Sequence, residues 1–373
     1  MRGAYCYLPI LPARRGAFLA AQWLSPLAES RLIPLFDIPD PVVRNGETLE
    51  KHFAKRAKGI GEAWPRSRSV YVDMHNLPSE VHMASGEHPL TFVFDLLRMQ
   101  GARAIPVTGT TADRHPAYTI AVRAITRRDR RGLCLRLARE DFENRSTLAD
   151  SISEVLDFQG LSPAECDLIL DFRYLVAGEA GTLRGLSLEA LDISRQLGRF
   201  RNVILAGGSV PEQLGKQDQG QLRSESRVEF SLWAELIKTI PLVYADYGVV
   251  SPTYVPPKRA VNVPARIRYT THAEHVFRRG RRADYVTLCN ELIASPEFSG
   301  QDFSLGDLRI HQCAKGIVKP GNPTLWVGSD LNHHFEMVSQ QIWQAISASG
   351  NAGHFSLPEP EHRPYLQPDL IAE

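Results

Sequence analysis

Charged side chains recur at the ends of short apolar runs in this chain, where a buried strand would otherwise exclude them. Asp37 closes the run 32–38, and Asp73 with His75 closes 69–74. Arg136 and Glu140 are four residues apart at 133–138, and Asp171 and Arg173 end 168–172. Side chains alternate faces along a strand, so each of these pairs is expected on one face. Asp246 follows 242–245, and Gly207-Gly208-Ser209 follows 202–206. Carboxylates and guanidiniums gathered this way could bind an anion or exchange protons, while exposed amides at Gly208 and Ser209 could hold a phosphate. The same residues could equally neutralise one another as a buried ion-pair network.

Two further groups invite chemistry. Asn332-His333-His334 precedes an apolar helical stretch near 335–347, which predicts one imidazole facing inward and the other facing solvent. Asp73, Asp171, Asp246 and His334 are the catalytic candidates. The ligand-binding candidates are Asp37, His75, Arg136, Glu140, Arg173, Gly208 and Ser209 at the strand ends, and Arg266, Arg268, Tyr269, Asn332 and His333 beyond them. Arg278, Arg279, Arg281 and Arg282 extend the basic set around Tyr269 and Phe277. Arginines interleaved with aromatics can track a phosphate backbone and stack bases. A solvated basic hairpin pairing with an acidic barrel mouth is the plainer reading. HExxH, GxSxG and GxxxxGK[ST] do not occur, and no HxH follows the first apolar run. No metal and no cofactor is assigned.

The elements that must position these residues alternate. Strand-like runs at 7–11, 32–38, 69–74, 104–108, 133–138, 168–172, 202–206 and 242–245 are separated by helical patterns at 17–29, 49–63, 90–100, 117–127, 147–159, 187–197 and 225–238. Gly101, Gly160 and Gly198 stand where helices stop, and Ser187 and Ser226 where a hydroxyl could cap a helix start. Eight such repeats predict an α/β fold, a (β/α)8 TIM-type barrel. An open doubly wound sheet would carry GxGxxG after its first strand, and Leu11-Pro12-Ala13-Arg14 stands there instead.

Beyond the eighth strand, 249–283 is rich in Pro and Arg. Its runs 265–270 and 274–278 predict a β-hairpin lid over the barrel mouth. The segment 283–295 is expected as the eighth helix, and 296–357 as a C-terminal extension carrying 303–310, 325–327 and the last helix. Residues 1–357 are thus read as one domain, and 358–373 as a loosely packed tail.

Composition narrows the classes. The chain has 373 residues, 43% hydrophobic and 23% charged, which suits a globular fold. Lys and Arg number 43 against 42 Asp and Glu, so no overall field recruits nucleic acid or an acidic membrane. Five scattered cysteines without CxxC spacing argue against a disulfide framework or thiolate zinc site. With no apolar run long enough to span a bilayer, a cytoplasmic location is expected.

The chain resembles the beta-protein family of bacteriophages and bacteria. The likeness is carried by Tyr7-Leu8-Pro9-Ile10-Leu11 with Ile33-Pro34-Leu35-Phe36-Asp37-Ile38, by Asp167-Leu168-Ile169-Leu170-Asp171, by Tyr244-Ala245-Asp246-Tyr247-Gly248, and by Phe303-Ser304-Leu305-Gly306-Asp307 with Asn332-His333-His334. Pro12 and Ala13 stand where the family tends to have a lysine. The resemblance implies a one-domain protein of phage, prophage or defence-related settings, with a protein partner encoded in the same module, and it implies no particular activity. Three readings stay open: a binding or effector component acting through the barrel rim, a hydrolase or phosphodiesterase-like enzyme on a phosphate-bearing or nucleotide substrate, and nucleic-acid binding through the Arg-rich hairpin.

Overall fold

The computed structural model describes residues 5–41, 47–75, 77–78, 80–110, 114–212, 222–253, 264–280 and 284–360. In chain order the elements are β1 (Tyr7–Pro12), α1 (Arg15–Gln22), α2 (Pro26–Arg31), β2 (Leu35–Asp37), α3 (Leu49–Ala63), β3 (Ser69–Asp73), α4 (Pro89–Met99), β4 (Arg103–Thr108), α5 (Pro116–Asp129), β5 (Leu133–Ala138), α6 (Arg139–Glu143) and α7 (Arg145–Gln159). There follow β6 (Cys166–Tyr174), α8 (Ala180–Leu197), β7 (Asn202–Gly208), β8 (Leu222–Ser226), α9 (Val228–Leu236), β9 (Val243–Asp246), β10 (Arg266–Thr270), β11 (Glu274–Arg279), α10 (Tyr285–Ile293), α11 (Leu305–Ala314) and α12 (Pro323–Ala348).

Eight parallel strands close into a barrel in the order β1-β2-β3-β4-β5-β6-β7-β9. The ring is completed where β1 pairs with β9, setting Tyr7 opposite Tyr244 and Pro9 opposite Asp246. Closure leaves no strand edge exposed, and it brings the carboxyl ends of all eight strands to one rim. The expected (β/α)8 architecture is the observed one. Gly160 ends α7 at φ +69°, where its N–H bonds the carbonyls of Leu156 and Asp157, so the helix stops cheaply before β6.

Several local expectations change. The stretch 17–29 is two helices, because Ser25 caps α2 through Ala28 N–H at 3.1 Å and Pro26 has no N–H with which to continue α1. The run 32–38 shortens to β2, although Ile33 N–H still bonds Tyr7 O at 3.0 Å; Pro34 cannot donate to the ladder. Ser187 lies inside α8, its hydroxyl donating back to Leu183 O at 2.7 Å, and caps nothing. Ser226 belongs to β8, which adds antiparallel to β11 with Ser226 opposite Glu274; α9 therefore begins two residues later.

The largest correction concerns the eighth helix. That place belongs to α12, which packs on α1, α2 and β1 and sends Leu331, Phe335, Val338, Ile342 and Ile346 into the barrel core. Asn322 caps it by accepting from Thr324 and Leu325 N–H, and Pro323 occupies its first turn, so it starts well before 335. The segment 283–295 instead supplies α10 to a second, smaller core with α11, where Ile267, Tyr269, Val276, Leu288 and Trp326 meet. The hairpin forms as β10 and β11, with Thr270 opposite His275. Its Ile267, Tyr269 and Val276 join this second core, while Phe277 packs on Val210 just past β7. Among the described residues no helix is long and apolar enough to cross a membrane. Arg281, Arg282 and the tail from 361 lie outside the described residues.

Candidate functional site at the barrel rim

The rim is organised around one guanidinium. Arg136 points inward from β5 and is 5% exposed. Its Nη1 donates to Asp73 Oδ2 at 2.9 Å and to both Asp37 oxygens at 3.3 Å, while Nε and Nη2 reach Asp171 Oδ2 at 2.8 Å. Nη2 also donates to Tyr247 Oη at 2.8 Å, and the Tyr247 hydroxyl donates to Asp171 Oδ2 at 2.6 Å. Parallel register sets Asp37 opposite Asp73, which is why their carboxylates meet the same nitrogen. Burial disfavours the charged guanidinium, but the Tyr247 oxygen and three carboxylates overcome this and push its pKa well up. Burial likewise opposes ionisation of Asp37, yet Arg136 and His75 hold its carboxyl below the usual range.

Around this centre His75 Nδ1 meets Asp37 Oδ1 at 3.2 Å, and Arg114 Nη2 donates to Asp73 at 3.2 and 3.3 Å. Tyr118 donates its hydroxyl hydrogen within reach of Asp73 Oδ1 at 3.2 Å and Val107 O at 2.9 Å. Arg114, Tyr118 and Tyr247 were not among the sequence candidates. Tyr247 was within reach of the period-two rule, since Ala245 and Tyr247 face opposite to Asp246. Arg114 and Tyr118 come from the connection after β4 and from α5, where no strand periodicity points.

Arg173 differs from its neighbours. The β6–β7 register slips between Asp171 and Tyr174, and Arg173 takes φ +55° while its N–H donates to Asp171 Oδ1 at 2.9 Å. A non-glycine residue there costs about 1–3 kcal/mol, a strain that tends to persist where function requires it. Its side chain is half-buried and makes no ion pair among the described residues. With His75, Arg114, Arg136, Ala138 and Asp171 it lines a cavity of about 10 Å³, room for roughly one water.

Asp37, Asp73 and His75 each turn one ligand atom toward a common point, all within 4.8 Å of one another. Two carboxylates and an imidazole suit a divalent cation. Here Arg136 Nη1 already stands between the two carboxylates, so the set fits an ion pair better than a metal.

The remaining candidates do not join this cavity. Asp246 points away from the barrel axis toward α12, accepting from Tyr7 Oη at 2.8 Å and Gly248 N–H at 3.0 Å. His334 Nε2 lies 2.9 Å from its other oxygen, and His334 Nδ1 lies 2.7 Å from Thr270 Oγ1. Nε2 donates to the carboxylate and Nδ1 accepts from the hydroxyl, a neutral ring, and burial lowers the His334 pKa accordingly. Burial would raise the Asp246 pKa, but His334 and the other donors bring it down to about 2. Acid, imidazole and hydroxyl thus stand in the order of a hydrolytic triad. All three are fully enclosed between the barrel wall and the accessory sheet, so no substrate has access.

His333 faces the opposite partner set rather than solvent. Its Nε2 meets Thr270 O and its Nδ1 meets Asp307 Oδ2, both at 2.8 Å; two acceptors require an imidazolium. Burial would lower its pKa, but Asp307 and the Thr270 carbonyl raise it. Tyr269 stacks on the ring at 3.8 Å and donates to Asp307 Oδ1 at 2.6 Å. Asn332 bonds Trp23 O and Gly306 N–H, both at 2.9 Å. Arg268 stands 3.5 Å from Asp330, whose carboxyl burial pushes up to about 7. Consecutive residues on α12 face different neighbours, and because the helix is sandwiched, neither histidine meets water.

Other expectations are corrected similarly. Glu140 is exposed on α6, because β5 ends at Ala138 and alternation no longer applies. Gly207 and Gly208 end β7 itself; a Cβ at Gly207 would come within 2.6 Å of Leu175, so the glycine makes room for packing. Ser209 is buried, its Oγ without a hydrogen-bond partner among the described residues. Tyr269 and Phe277 are buried and offer no stacking face, while Arg278 pairs with Glu297 at 3.3 Å and Glu291 at 4.0 Å rather than with the barrel mouth. Arg266 is half-buried on β10, outside the rim cavity.

No curated protein matches the chain. The model of the family described as Beta protein matches residues 7–340, from the first barrel strand into the second half of α12. The chain therefore belongs to the Beta protein family.

Proposed function

We propose that the protein is a binding component whose barrel rim receives an anionic group, a phosphate or carboxylate carried by its ligand. One observation carries this reading: Arg173 is the single charged side chain lining the rim cavity that has no ion-pair partner among the described residues. His75, Arg114, Arg136 and Asp171 are each engaged by a neighbour. A half-buried guanidinium held in a strained backbone conformation is a preorganised donor for a charge-assisted hydrogen bond. Calorimetric titration of the full chain with inorganic phosphate and with adenosine monophosphate tests it. Saturable binding of either, weakened about tenfold in Arg173→Ala, is expected. No saturation with either anion, or an unchanged affinity in Arg173→Ala, sinks the idea.

The family likeness motivates placing this role in a phage, prophage or defence-related module, with the anion presented by a partner encoded there. Recovery of neither protein nor nucleic acid on the native chain from such a host would count against that setting.

A second reading has its own support. His75 and Asp171 line the same small cavity as the arginines, so a phosphate ester held by Arg173 at its mouth, with a water in the cavity, would lie beside two groups able to move a proton. If Asp171→Asn and His75→Gln kept the full biological effect, hydrolase or phosphodiesterase-like chemistry would be abandoned and binding alone retained.

A further inference from the structure

A second cleft opens at the other end of the barrel. It measures about 220 Å³, against about 10 Å³ at the rim. The last turn of α8, the connector into β7, the lead into β9 and the residues after α12 enclose it. Its floor is apolar, formed by Val203, Ile240, Leu242 and Phe355. Its charged lining is one-sided: Arg195, Arg199 and Arg201 contribute, with His354, Ser194 and Asn202 beside them, and no Asp or Glu does. In a chain with 43 basic and 42 acidic residues such a segregation is a local feature, not an overall excess. Arg201 is anchored from behind, its Nε donating to the buried Asp167 at 2.9 Å and its Nη1 to Arg131 O at 2.9 Å. It is thereby a fixed wall, whereas Arg195, Arg199 and His354 are exposed at the opening.

We infer that this cleft is a second ligand site, for a small organic anion with a compact apolar body. The apolar floor removes a flat hydrocarbon from water, and the cationic opening selects a carboxylate, phosphate or sulfonate at one end of it. Drug-sized pockets run from roughly 300 Å³ upward, so the body is of one or two rings rather than a nucleotide or an acyl chain.

Four probes separate the contributions: 2-naphthoate, 2-naphthyl phosphate, neutral 2-naphthylmethanol and acetate, each titrated calorimetrically into the full chain. Both naphthyl anions are expected to bind saturably, and the alcohol and acetate at least about tenfold more weakly. The double variant Arg195→Ala/Arg199→Ala should lose about tenfold for the anions only, and Val203→Phe, which fills the floor, should abolish naphthyl binding. Neither variant should change phosphate binding at the rim, so failure at one site is read separately from failure at the other. Absence of saturation with both naphthyl anions, equal affinity for the alcohol, or unchanged affinity in both variants would overturn the inference. Circular dichroism of both variants matching the parent shows that loss of binding is not loss of fold.

Discussion

Two buried polar clusters can be set side by side, one inside the barrel rim and one between the barrel wall and α12. Both pair carboxylates with nitrogen cations, yet they differ in what is left over. In the α12 cluster His333 and His334 commit both ring nitrogens and are fully buried. In the rim cluster three carboxylates converge on Arg136, and Arg173 has no ion-pair partner among the described residues and borders a small cavity. A saturated network fastens elements together, here the barrel to the sheet β10-β11-β8. A network with a surplus donor at a cavity is equipped to take a ligand. Residue types alone do not distinguish them.

Breaking the rim at its centre gives the largest expected effect. Arg136→Met leaves Asp37, Asp73 and Asp171 without their shared cation, and should cost about 3–5 kcal/mol in chemical denaturation. A loss under about 1 kcal/mol would mean that the carboxylates do not depend on the guanidinium, and the likeness of the two clusters would fail.

The α12 cluster is sharpened by pH. The folded pKa of His333 is raised, so its stabilisation is complete below the unfolded value near 6.5 and is lost as pH rises through the folded value. His334 is lowered, so the unfolded chain binds the extra proton and stability falls as pH drops below about 6.5. Asp246 adds a further acid loss as pH falls from about 4 toward its folded value of about 2. In thermal melts across pH, His333→Gln should flatten the alkaline limb and His334→Gln the limb just below neutrality. Identical profiles for the two variants would show that the adjacent imidazoles do not hold opposite charge states.

Arg173→Ala should shift stability by no more than about 0.5 kcal/mol while weakening anion binding, the reverse of Arg136→Met. A large stability loss in Arg173→Ala would make it part of the scaffold and erase the contrast. Smallest of all, Arg278→Ala removes ion pairs with the partly exposed Glu291 and Glu297, and should cost under about 1 kcal/mol by denaturation.

How much of this was legible in residue order varied with the range of the cause. Barrel strands announced themselves through apolar runs, and Asp37, Asp73, Arg136 and Asp171 through charge at their ends. Glu140 failed because β5 stopped two residues sooner than alternation required. Arg114 and Tyr118 were invisible because their link to Asp73 is made across 41 and 45 residues of chain. The eighth helix was misassigned because 283–295 and 323–348 are both amphipathic, and only competition for the β1 and α1 surface selects between them.

Local chemistry in the sequence determined where strands run and which of their ends carry charge, because burial and backbone geometry act within a few residues. Tertiary closure decided the rest: Asp171 turns inward to Arg136, and Asp246 turns outward to His334. Whether a charge becomes a fastener or a vacant donor depends on which distant group reaches it first, and that is a property of the folded barrel.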